Sequence, residues 1–156
     1  MAGALIVGYG NPLRGDDGVG WKVAQRLQDL LPPERVTVRT CVQLVPELAA
    51  DVSEFDFVVF IDACAGKPAG IVTWEWVEPA SLGKTTVSHH CTPVTVLTYA
   101  QRLFGRAPRA LLVSLTGADF GYREGLSAAV AAAVPVAVAL VLDLLAQDGI
   151  CLQSHG

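Results

Sequence analysis

Residues 57–62 read Phe57-Val58-Val59-Phe60-Ile61-Asp62. Five consecutive β-branched or aromatic residues suit a strand buried on both faces, as in a parallel sheet covered by helices. The run ends on a carboxylate, so the strand is expected to stop at Asp62. An acidic group there needs a partner, a proton or a metal. Its bland alternative is a hydrogen bond to neighbouring loop amides.

Working outward, strand and helix signals alternate. Residues 4–8 (ALIVG) form a second apolar run ending in glycine. After Asp16 and Asp17, the apolar positions Val23, Leu27, Leu30 and Leu31 follow a helical period until Pro32-Pro33 stops it. Residues 35–40 (RVTVRT) alternate and predict a strand near a sheet edge. Pro46 suits the first turn of a short helix through Glu47, Leu48 and Ala50. Residues 71–77 (IVTWEWV) alternate again. Thr92-Pro93 starts a helix that runs to about Phe104, and residues 110–115 (ALLVSL) are another buried strand. Ser127 is placed to cap a long final helix that fades near Gln147. The order β-α-β-α-β-β-α-β-α predicts a three-layer α/β/α domain with a twisted, mostly parallel five-stranded sheet. A single domain is expected over residues 1–147, with a flexible tail over 148–156.

The chain has 156 residues, 52% of them apolar, enough for one domain with a real core. Eleven Lys and Arg against fifteen Asp and Glu give a net charge of −4, and no basic stripe appears, so nucleic acid is not an expected partner. The N-terminus lacks the features of a signal peptide. The longest apolar run, residues 128–142, contains Pro135 and falls short of the about 20 residues of a spanning helix, so a buried core helix is expected and no membrane. Cys41, Cys64, Cys91 and Cys151 show no CxxC spacing and read as reduced thiols of a cytoplasmic protein.

Ligands of open α/β sheets bind beyond the carboxyl ends of the strands. Three segments fall there: residues 8–18 (GYGNPLRGDDG), 62–66 (DACAG) and 88–93 (SHHCTP). A dinucleotide fingerprint would need glycine where Leu13 stands, and no GK[ST] follows. Of the two aspartates, one suffices to cap the helix, leaving the other for the cleft. Asp17 is divided between those roles. Of His89 and His90, at most one is expected to face a common point. Two carboxylates and one imidazole would make an oxygen-rich set with open positions, suited to nickel or zinc. A Cys64–His90 nucleophile and base is the rival chemistry. Neither Cys64 nor Cys91 has the cationic neighbour that lowers a thiol pKa, and no GxSxG elbow supports a serine triad.

GYGNPLRGDDGVG, IDACAG and SHHCTP, in that order, resemble the hydrogenase maturation endopeptidases, and the resemblance extends through QLVPEL and GLSAAVAAAVP. It implies a twisted sheet sandwiched by helices. It also implies removal of a C-terminal extension from a [NiFe] hydrogenase large-subunit precursor, with nickel carried by the substrate as the recognition signal. The family's metal-contacting and catalytic positions match Asp17, Asp62 and His90, the last rather than His89. Many members carry Glu where Asp17 stands, so this carboxylate reaches less far by about 1.5 Å. A monomer is expected, because the site must admit a large partner. A non-proteolytic nickel chaperone using the same three residues is the alternative.

Overall fold

The computed structural model describes residues 3–81 and 90–149. These form five strands: β1 (Ala4–Tyr9), β2 (Val36–Cys41), β3 (Phe57–Ala65), β4 (Val72–Val77) and β5 (Arg109–Gly117). The helices are α1 (Val19–Leu30), α2 (Leu48–Val52), α3 (Pro93–Phe104) and α4 (Ala128–Gln147). One sheet runs in the order β2-β1-β3-β5-β4. All neighbouring strands are parallel except β4, which pairs antiparallel with β5 at one edge. The RVTVRT strand lies at the other edge, as its alternation predicts.

The apolar runs of β1 and β3 are continuous because each face of the sheet meets a helix layer. Ala4, Ile6, Phe57, Val59 and Ile61 pack with α1 and α4. Their alternates Leu5, Val7, Val58 and Phe60 pack with α2 and α3. Residues Ala4 to Val7 and Phe57 to Ile61 are fully buried. Truncating such a side chain, Phe57→Ala for example, typically costs about 3–5 kcal/mol.

Thr92 caps α3 through a reciprocal pair: its hydroxyl accepts from the Thr95 amide, and the Thr95 hydroxyl accepts from the Thr92 amide. The helix stops at Gly105, whose φ of 78° suits glycine. Helix α4 is twenty residues long, apolar enough by length and composition to cross a membrane. Here Val130, Val134, Val138, Val141 and Leu145 bury one face in the core beside α1 and β5, so α4 is a core helix. Pro135 lies on the exposed side of α4, where water can serve the carbonyl it leaves unpaired.

Three local expectations need correction. β3 does not end at Asp62 but continues to Ala65, because β5 supplies a partner ladder as far as Gly117. Leu30 is exposed, and the helix closes with Leu31 buried just beyond its last turn. Ser127 stands at the N-cap of α4, yet its side chain does not cap that helix. Residue Cys151 and residues 150–156 of the expected tail lie outside the described residues, as does His89.

Candidate active site

The carboxyl ends of β1 and β3 adjoin where the strand order reverses, since β1 leads outward to β2 and β2 returns across it to β3. The glycine loop after β1 folds back upon itself. Gly10 has a φ of 139°, and a Cβ there would stand 2.0 Å from the Asp17 carbonyl oxygen. The backbone approach a pyrophosphate would need at Gly10 is thus filled by the chain itself, which argues against dinucleotide binding. A single 3₁₀ turn (Gly15–Gly18) then leads into α1.

Neither Asp16 nor Asp17 caps its own helix. Asp16 is fully buried and reaches across the fold. Its carboxylate accepts from the amides of Ala118 (2.8 Å), Asp119 (3.0 Å) and Ser127 (2.7 Å), and from the Ser127 hydroxyl (2.8 Å). Burial alone would raise its pKa, but these donors outweigh that and hold it below the usual carboxylate range. The neighbouring main chain is laced to the same loop. Gly15 donates to the Arg123 carbonyl, Asp16 to the Asp119 carbonyl, and Arg123 to the Leu13 carbonyl. The Arg14 guanidinium lies over the Tyr122 ring, 5.0 Å from its centre.

Asp17 is half-buried and accepts from the Asn11 amide at 2.7 Å. Asn11 in turn accepts from the Leu13 amide through its own side chain. The two bonds fix the loop that aims Asp17 toward β3.

Asp62 sits inside β3, in register with Ser114 of β5. Burial pushes its pKa up to about 6. A hydrogen bond from Tyr9 pulls it down, the charge of Asp17 raises it again, and the Ala63 amide lowers it. Asp17 and Asp62 are therefore electrostatic neighbours. Tyr9, missed at the level of sequence, stands beside them. Its phenol is held protonated, pushed far above its ordinary pKa by burial and then by the Asp62 charge. The signal that could have found it was a large hydroxylated side chain ending an otherwise aliphatic strand.

His90 stands in the segment just before α3. It is exposed, two residues ahead of the Thr92 cap, and lines a groove of about 300 Å³ between residues 43–46 and the head of α3. Cys91 lines the same groove and bears on Tyr9, so the groove and the carboxylates adjoin. Among the described residues no three His, Cys, Asp or Glu side chains lie close enough to hold a metal ion. The structure thus brings Asp17 and Asp62 together and leaves His90 on neighbouring ground. The thiol alternative loses support. Burial raises the Cys64 pKa, and the Asp62 charge raises it further. Cys91 is raised by burial and by Glu47. A nucleophilic thiolate needs the opposite surroundings.

No family model matches the chain, and no curated protein matches it in sequence. Solved structures do. The hydrogenase maturating endopeptidase HybD from E. coli superposes with a TM-score of 0.73 at 22% identity, over 96% of this chain and 94% of that one. The [NiFe] hydrogenase maturation protease HycI from Thermococcus kodakarensis gives 0.71 at 25% identity, over 93% of each chain. The hydrogenase 2 maturation peptidase of a Thaumarchaeota archaeon gives 0.70 at 25%, over 92% and 97%. By class the chain is therefore a peptidase. More narrowly, over 92–96% of its length it shares the fold of these hydrogenase maturation proteases, the same group its motifs resemble.

Proposed function

We propose that the protein is an endopeptidase that removes the C-terminal extension of a nickel-loaded [NiFe] hydrogenase large-subunit precursor. The observation that carries this reading is that Asp17, in the turn after β1, and Asp62, inside β3, are electrostatic neighbours, within a fold shared almost end to end with maturation proteases. The nickel arrives with the substrate. Asp17 and Asp62 offer oxygen donors to its open positions, and His90 offers a nitrogen from the adjoining groove. Two carboxylates suit a borderline divalent ion bound incompletely, so docking relies on the substrate to complete the set. Holding the scissile peptide in register beside these residues lowers the barrier by several kcal/mol, up to about 7–11 in good cases. The protein acts as a cytoplasmic monomer, its site open to a large partner.

The test is the intact mass of a nickel-loaded large-subunit precursor after incubation with the protein. Nickel-free precursor and Asp17→Ala are run beside it. Loss of a C-terminal peptide only with wild type and nickel supports the proposal. Nickel transfer without any mass change would replace it with the chaperone reading. Cleavage of unrelated peptides without metal would also overturn it.

A further inference from the structure

Tyr9 and Asp62 end up side by side for reasons of pleat and pairing. β1 and β3 are parallel neighbours with Gly8 opposite Ile61, so the next residues on each strand, Tyr9 and Asp62, share one level of the sheet. Successive side chains alternate faces. Leu5 and Val7 of β1, and Val58 and Phe60 of β3, point to the α2 and α3 layer. Tyr9 and Asp62 continue that face, and the Tyr9 ring packs against the same apolar cluster. The two strands are also pinned from behind at this level. A Cβ on Gly20 would stand 2.5 Å from the Ile61 carbonyl oxygen and 3.0 Å from that of Tyr9. Only glycine lets the first turn of α1 lie directly on both strands at this level. The ring is thus fixed by packing and its backbone by α1, on the same sheet level and the same face as Asp62.

We propose that Tyr9 is a positioning residue: its hydroxyl donates to the Asp62 carboxylate and fixes which oxygen of that group faces the substrate. This role rests on the endopeptidase reading. The phenol takes no proton and forms no bond to substrate. It occupies one carboxylate oxygen and removes the rotational freedom that a lone Asp62 would have. Partners that orient a reacting or ligating group in this way typically contribute about tenfold to a hundredfold in affinity or activity.

Tyr9→Phe tests the proposal, because it keeps the ring and deletes only the hydroxyl. Two readouts are needed. The first is cleavage of the nickel-loaded precursor: kcat is expected to fall about tenfold or more, with KM within about twofold of wild type. The second is the ¹³C resonance of the Asp62 carboxyl in labelled protein without precursor, expected to move when the hydroxyl is lost. An unmoved resonance overturns the contact. A moved resonance with unchanged kcat overturns its catalytic consequence, and so does a kcat that falls only in step with the folded fraction measured by thermal melting. Should Tyr9→Phe melt below the assay temperature, Tyr9→Gln supplies a donor without the ring, and partial recovery of kcat per folded molecule is then the expected result. If wild type itself leaves the precursor uncut, the endopeptidase reading fails, while the resonance still decides the contact.

Discussion

Asp16 and Asp62 are both carboxylates withdrawn from water at the same end of the sheet, and their surroundings treat them in opposite ways. Asp16 meets four donors from the chain between β5 and α4 and is held ionised below the ordinary range. Asp62 has the Tyr9 hydroxyl and one amide, faces a second carboxylate, and is pushed up to about 6. Burial is common to both. What separates them is whether the fold supplies enough donors to replace the lost water. A group fully satisfied by its own chain is structural. A group left short of partners, opposite a like charge, is available to something that binds.

The largest effect that would break this comparison is at Asp16. Asp16→Ala leaves three amides and a hydroxyl without their acceptor and is expected to cost about 3–5 kcal/mol, measured by urea unfolding. The pH dependence follows the same contacts. Because the folded pKa lies below the unfolded one, this stabilisation is complete above the ordinary Asp range and drains away as acid takes the pH down through the folded value. Asp16→Ala should therefore flatten the acid limb of the stability profile.

Asp62→Asn should do the reverse. With its folded pKa raised to about 6, the native state holds the proton more tightly than the unfolded chain, so stability falls as pH rises from the ordinary Asp range through 6. The variant is expected to gain on the order of 1 kcal/mol above that pH, or about 2–4 °C in Tm, while losing precursor cleavage. A drop in Tm there would contradict the contrast with Asp16.

A smaller effect sharpens the pairing of Asp17 with Asp62. Asp17→Ala removes one raising charge, so the Asp62 carboxyl should titrate below 6 by NMR, with stability changed by about 1 kcal/mol at most through the lost Asn11 bond. The smallest expectation is at Cys64. Cys64→Ser should cleave precursor at a rate within about twofold of wild type, because a thiol raised by burial and by Asp62 is not a nucleophile.

Much of the architecture was legible because its signals are local. FVVFI, the Pro32-Pro33 stop and the Thr92-Pro93 start each act within a few residues, and the element order follows from them. Asp62 was legible as a carboxylate ending a buried run. The role of Asp16 was not, because its partners lie 102 to 111 residues away. A local reading could only assign it to the nearest helix. The extension of β3 past Asp62 likewise depended on how far β5 would run. Tyr9 escaped notice for a related reason: its significance lies in the neighbouring strand, not in its own segment.

The continuation of β3 beyond Asp62 bears on how adaptation is divided between the two proteins. The backbone that carries a carboxylate inside a hydrogen-bonded ladder moves only when the ladder opens, and such openings belong to the rarest excursions of a folded chain. Amide exchange along residues 61–63 should accordingly be as slow as in the core. On the proposed endopeptidase reading, the protein would meet its precursor as an inflexible gauge, and any bending needed to seat the cleavage point would fall to the extension being removed.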